Sequence, residues 1–201
     1  MTSPTLRTRL APDQRREQLL DLGVRLLADH DLDELTIDLL AEEAGISRGL
    51  LYHYFGNKQA FREAVVRRAV DDLVAQTAPP PGGDPVARLA ASMTAYVDYV
   101  VGNYEGYRSI VKAAQGGHEA LRELYEEARA ALTDRIFTEA AQGELVPDTP
   151  AVRLVVRGWA ALAEEMTLTW VADPAGVTRE QLLDTLTGSL PALVAHVLDP
   201  D

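Results

Sequence analysis

Between Thr36 and Lys58 the chain reads TIDLLAEEAGISRGLLYHYFGNK, and the groups best suited to engaging an anion crowd into this stretch. Ser47 stands just before Arg48 where a short helix is expected to begin. The free amides of that helix end, the Ser47 hydroxyl and the Arg48 guanidinium together suit a phosphate. The face that follows carries Gly49, Leu50, Tyr52, His53 and Tyr54. From Ala44 to Arg68 the basic residues are Arg48, Lys58, Arg62, Arg67 and Arg68, opposed only by Glu63, which reads as a local basic patch.

Little else in the chain could do covalent or metal chemistry. The four histidines, His30, His53, His118 and His196, are isolated from one another and from carboxylates at ligand spacing, so no metal site is expected. There is no cysteine to act as nucleophile, thiolate ligand or disulfide partner. Gly82-Gly83 and Gly116-Gly117 lack the lysine or the strand context of a phosphate loop. An enzyme is therefore disfavoured, and no cofactor is expected.

The elements that position the anion-binding groups are helical throughout. Thr36 can cap a short helix running through Glu43, Gly45 supplies a turn, and Ser47 can cap a second short helix through Tyr54. Ala41 is small enough to let these helices approach, and Gly45, four residues on, sits where a tight turn calls for left-handed backbone. Leu39, Leu40, Ile46 and Leu51 fill the space between them. This is a helix-turn-helix. A longer amphipathic helix precedes it, from about Asp13 to His30, with Asp31 as its stop. Another follows from Asn57 and Lys58 to about Thr77.

The prolines and glycines of Ala78 to Pro85 mark the clearest internal break. Beyond it, helical periodicity predicts helices near 85–103, 104–114, 119–142, 150–172 and 178–198, with Pro191 expected to interrupt the last. The fold class is all-α, with about nine helices: residues 1–12 a flexible tail, 13–60 a three-helix domain built on the helix-turn-helix, and 61–201 a larger helical domain.

Charge is divided unevenly along the chain. Up to Arg68, 10 Lys and Arg face 11 Asp and Glu; after it, 9 face 20, so nearly all of the net −12 lies in the C-terminal part. A hydrophobic fraction of 47% with 25% charged residues is that of an ordinary globular protein. No segment approaches the roughly 18 apolar residues of a membrane helix, and the expected location is the cytoplasm.

The ordered string T-I-x-x-L-A-x-x-A-G-I-S-x-G-x-L-Y-x-Y-F-x-x-K, completed by LLYHYF and Lys58, resembles the N-terminal signature of tetracycline-repressor (TetR) type regulators over about Arg15 to Phe61. Two positions depart from the family pattern. Leu22-Gly23 stands where an alanine pair is usual, and Asp31 stands where glycine usually ends the first helix, a place Asp can fill because it tolerates left-handed geometry. The resemblance implies roles for matching residues: Thr36 and Ser47 on phosphates, Arg48, Gly49 and Leu50 at base edges, Tyr52 and Tyr54 on the DNA backbone, Lys58 on a further phosphate. Arg48 is the best candidate for a guanine contact. His53 is as well explained by simple surface exposure as by contact, whereas for Tyr52 and Tyr54 DNA contact is preferred to packing. Phe55, Leu51 and Ala41 read as core. Arg7 and Arg9 read as a solvated tail in preference to a minor-groove arm.

The same resemblance implies a homodimer on a pseudo-palindromic operator in double-stranded DNA, and a repressor released by a small-molecule effector. Dimerisation would use the last two long helices, through Leu154, Ala161, Leu168, Leu182, Leu186, Leu190, Leu193 and Val197. The effector would lie among Met93, Tyr96, Tyr99, Tyr104, Tyr107, Trp159, Met166 and Trp170, residues that plain core would also explain. Glu105, Glu164 and Glu165 would attract a cation if buried. The competing reading is a helical interaction protein of the same shape that has lost DNA or effector binding.

Overall fold

The computed structural model describes residues 11–138 and 145–199, and among these it holds nine helices and no strand. They are α1 (Pro12–Asp29), α2 (Ile37–Ala44), α3 (Arg48–Phe55), α4 (Lys58–Gln76), α5 (Pro85–Gly102), α6 (Tyr104–Gln115), α7 (Glu119–Thr138), α8 (Pro150–Ala172) and α9 (Arg179–Leu198). Helix starts follow side-chain caps: Thr36, Ser47, Asn57, Asp84, Thr149 and Thr178 each accept an amide from the residue three positions on. Of the helix expected over 119–142, residues 139–142 lie outside the described residues.

Two expectations need correction. Asp31 does not end α1 in left-handed geometry. The helix stops at Asp29 because His30 is extended, at φ −130° and ψ 149°, and its Nδ1 donates to the Leu26 carbonyl at 2.8 Å, so a side chain satisfies the free carbonyl. Pro191 does not break α9, which runs on to Leu198.

Helices α1 to α4 enclose a core of Leu19, Leu27, Leu35, Leu40, Leu51, Phe61 and Val65, joined by Leu121 and Leu124 from α7. Gly23 and Gly106 set how closely helices cross. A Cβ on Gly23 would stand 2.6 Å from Val65 Cγ2, and one on Gly106 would stand 2.2 Å from the Leu27 carbonyl oxygen. Glycine in place of the expected alanine at position 23 thus lets α4 press against α1. At the second crossing Ser109 Oγ accepts from the Leu32 amide at 3.0 Å and donates to the Gly106 carbonyl at 2.9 Å, tying α6 to the end of α1.

Two further clusters bind α5, α8 and α9 together, one with the end of α4 and the other with α7. Trp159 joins them, its Nε1 donating to the Leu186 carbonyl at 3.1 Å and to Ser189 Oγ at 3.0 Å. The expected boundary at residue 60 falls inside α4. Among the described residues no helix is long and apolar enough to cross a membrane.

Candidate nucleic-acid interface and interior cavity

The α2–α3 corner is built from local contacts. Thr36 Oγ1 accepts from the Leu39 amide at 3.1 Å, Ser47 Oγ from the Leu50 amide at 3.3 Å, and Asn57 Oδ1 from the Ala60 amide at 2.9 Å. Gly45 takes φ +62° and ψ 39°, and the Ile46 amide reaches the Ala41 carbonyl at 3.0 Å. Gly56, at φ +77°, makes the second turn into α4, a position the sequence reading passes over. Leu51 and Phe55 are buried, which fixes the rotation of α3 and turns Ser47, Arg48, Gly49, Leu50, Tyr52 and His53 to solvent. Leu50 and Tyr52 remain 36% and 49% exposed, which leaves both side chains available to a partner. Tyr54 is half-buried against the α1–α4 core and meets the His53 ring edge-on at 5.7 Å. Thr36 is half-buried and Lys58 exposed.

The structure dismantles the basic patch read from the local sequence. Arg62 is tied to Asp33 and the Leu35 carbonyl, Arg67 pairs with Glu127, and Arg68 with Glu17, Asp21 and Asp72. These carboxylates come mostly from other helices, so counting charge along one segment cannot see them. Arg48 pairs with Asp38 on α2, Nε to Oδ1 at 2.5 Å, with both side chains more than half exposed. Such a pair contributes about 0–1 kcal/mol and opens readily. Lys58 alone of the five has no acidic partner among the described residues. Arg7 and Arg9 lie outside the described residues.

The second feature is a cavity of about 130 Å³ lined by α5, α7, α8, Tyr107 of α6 and the α4–α5 connection, and partly open to solvent. Of the expected lining, Met93, Tyr96, Tyr107 and Trp159 are present. Tyr99 lines instead a smaller cavity against α1 and α4, where its hydroxyl donates to the Ala69 carbonyl at 2.9 Å. Tyr104, Met166 and Trp170 line neither. Tyr104 lies beside Arg108, Met166 packs into the core around Leu186, and Trp170 Nε1 holds the Val177 carbonyl of the α8–α9 turn at 2.8 Å.

Polar groups that the aromatic pattern misses complete the cavity. Among the described residues Arg88, Arg129 and Arg135 line it together with one carboxylate, Glu164. Glu164 accepts from Tyr107 Oη at 3.1 Å and Tyr125 Oη at 2.6 Å, and Tyr107 in turn meets Tyr96 Oη at 3.0 Å. Burial, then its bond to Glu164, pushes the Tyr125 phenol up to about 12; burial first also raises Tyr96 and Tyr107. Glu105 and Glu165 stand apart, engaged with Arg108 and Thr169. The available signal was the spacing of Arg88, Ser92 and Tyr96, which puts a cation on a stripe otherwise turned inward.

The expected contact surface on α8 and α9 is divided. Leu154, 73% exposed, Leu193 and Ala161 lie open, and Leu168 and Val197 are half-buried. Leu182, Leu186 and Leu190 are buried within the single chain, because α9 packs its inward stripe against α5 and α8; they are core and offer no outer surface. Gly158 and Gly188 lie on the open side, where an added Cβ would meet nothing within 4 Å.

Comparison with known proteins assigns both halves. Residues 19–65 match the model described as bacterial regulatory proteins, tetR family, and residues 85–193 the tetracyclin repressor-like C-terminal domain. The HTH-type transcriptional activator FasR of Mycolicibacterium smegmatis is 25% identical over 178 residues, 88% of this chain and 81% of its own. The HTH-type transcriptional regulator BetI of Burkholderia thailandensis is 38% identical over 87 residues, 42% of this chain and 45% of its own. A tetR-family regulator from Streptomyces coelicolor superposes with a TM-score of 0.83 at 33% identity, over 95% of this chain and 86% of that one.

Proposed function

The chain belongs to the tetR family of bacterial regulatory proteins, so it is a DNA-binding transcriptional regulator, and we propose that it is a cytoplasmic homodimeric repressor released from its operator by a small molecule. The observation that carries this reading is the outward face of α3. Two apolar side chains, Leu50 and Tyr52, stand exposed beside Arg48, Gly49 and a capped helix N-terminus. In a twofold pair, two such helices would enter successive major grooves roughly 34–36 Å apart, on a pseudo-palindromic site.

Thr36 and Ser47 serve phosphates in this reading: each hydroxyl oxygen accepts its cap bond and leaves its hydrogen to donate outward. Arg48, Gly49 and Leu50 face base edges, Tyr52, His53 and Tyr54 flank them along the backbone, and Lys58 holds a further phosphate. Residues 13–60 act as the DNA-binding unit, 61–201 as the effector and dimer unit, and 1–12 as a tail. The pair forms through the open face of α8 and α9, where Gly158, Ala161 and Gly188 allow close helix approach beside Leu154 and Leu193. The effector occupies the cavity of Met93, Tyr96, Tyr107 and Trp159.

Mobility-shift titration against DNA upstream of the protein's own coding region tests this. Lys58→Ala is expected to weaken binding to all sequences and lower the salt slope by about one, whereas Arg48→Ala chiefly relaxes sequence choice, at about 1–3 kcal/mol for the base it reads. Equal loss of discrimination in both variants would overturn the division of roles. FasR carries the name of an activator; transcription from the target promoter that rises when the protein is bound would make that the correct sign here.

A further inference from the structure

The cavity holds an imbalance of charge that the rest of the chain does not share. With a net charge of −12 overall, the described lining of this space sets two arginines that have no carboxylate partner among the described residues, Arg129 and Arg135, beside a single carboxylate, Glu164. The carboxylate is already engaged, since Glu164 accepts two phenol hydrogens. It does not call for a cation.

Arg135 is the opposite case. Its Nη1 donates to Thr77 Oγ1 at 3.2 Å and its Nη2 to the Val74 carbonyl, both neutral acceptors at the C-terminal end of α4. Among the described residues no carboxylate pairs with it, and burial draws its pKa down. A guanidinium that stays charged and is partly desolvated gains most from an anion it can grip with two donors. Arg129 lies on the same cavity, its guanidinium engaged by the Tyr125 hydroxyl at 3.2 Å and the Arg157 carbonyl at 3.2 Å, again without a carboxylate partner. The remaining walls are apolar: Leu89, Met93, Leu132, Ile136, Trp159 and Ala163.

We propose that this cavity binds an apolar organic carboxylate, whose carboxylate draws Arg135 away from the Val74 carbonyl and Thr77 hydroxyl at the end of α4. The apolar body is the size of an aromatic ring or a short acyl chain, since cavities of roughly 150 Å³ hold benzene. Longer chains must displace side chains to enter. Arg135 is a cation set against the negative end of the α4 dipole, and taking it away loosens the last turn of the helix whose other end carries Lys58. Binding itself stands on the cavity alone; its effect on DNA rests on the regulator reading above.

The test uses the full chain and three probes of equal length: octanoate, octanol and octylammonium. Each is titrated by calorimetry, with tryptophan fluorescence in a Trp170→Phe background, which reports Trp159, as a second signal. Octanoate is expected to bind saturably and at least about tenfold tighter than the other two, as one charge-assisted bond of about 1.5–3 kcal/mol implies. Arg135→Gln is expected to bring octanoate down to the affinity of octanol and leave octanol unchanged. Should that variant fold poorly, Ala160→Phe, which fills the cavity, is expected to abolish binding of all three probes. Preference for octylammonium, equal binding of the three, or an octanoate preference that survives either variant would overturn the proposal. Octanoate binding that leaves a DNA complex intact would overturn its regulatory half. Failure of the ligand-free protein to bind any DNA would instead sink the regulator reading and leave the cavity titration standing.

Discussion

The recognition corner and the interior cavity are made in opposite ways. At the corner, Thr36, Ser47 and Asn57 each cap the amide three residues on, and α3 is oriented by Leu51 and Phe55 four residues apart. In the cavity, Tyr107 and Tyr125 reach Glu164 across 57 and 39 positions, and Arg135 reaches Thr77 across 58. A surface whose caps and turns come from neighbours keeps its local shape as long as the core beneath it stands. A space assembled from distant helices changes whenever those helices shift. The first suits a contact made the same way every time, and the second suits one that must register a ligand.

Gly106 joins the two regions, and replacing it has the largest expected effect. In Gly106→Ala the new Cβ would fall 2.2 Å from the Leu27 carbonyl oxygen and 2.7 Å from Leu27 Cγ. Backbone cannot yield as a flexible side chain can, so the cost belongs near the top of the overpacking range, about 3 kcal/mol. At roughly 2–4 °C per kcal/mol for a chain of this size, Tm falls by about 6–12 °C in a calorimetric scan. DNA and octanoate binding should weaken together, because Leu27 belongs to the α1 core and Gly106 to the helix beside Tyr107. An unchanged Tm would mean that α1 and α6 do not cross this closely.

Glu164→Ala should separate the regions. It leaves the Tyr107 and Tyr125 hydroxyls without their acceptor, at about 1–3 kcal/mol, while the corner keeps every cap and DNA affinity without ligand is unchanged. An alkaline signature accompanies it. The Tyr125 phenol, raised to about 12 by burial and then by its bond to Glu164, keeps its proton in the folded state where an unfolded tyrosine loses it above about pH 10. Fewer protons are bound by the unfolded chain in that window, so stability falls as pH rises from about 10 towards 12. Without Glu164 the phenol titrates lower, and phenolate absorbance should develop earlier. An absorbance curve identical to that of the parent would detach Tyr125 from Glu164.

The same division explains what could be read in the sequence. Apart from the end of α7, expected at 142 and outside the described residues, helix limits fell within a residue or two because caps and glycines are local signals, and the α2–α3 corner was legible down to Gly45. The Arg62, Arg67 and Arg68 pairings were not, since Asp33, Glu127, Glu17 and Asp21 lie on other elements. Leu182, Leu186 and Leu190 form a stripe that looks suited to a partner, but periodicity shows only that a face is apolar and is silent on what covers it. Aromatic content pointed to the middle helices and missed Arg135, whose importance lies in which helix end it touches.

The smallest effect is expected where the structure is most local. Ser47→Ala removes the oxygen that accepts the Leu50 amide, costing about 1 kcal/mol and so roughly 2–4 °C in Tm. Octanoate affinity should not move, because no cavity wall touches α3. DNA affinity should drop evenly across sequences, since a lost phosphate contact carries no base information. If Ser47→Ala instead shifted the octanoate titration, the corner would be coupled to the cavity at rest, and the division between a fixed surface and a responsive interior would not hold for this chain.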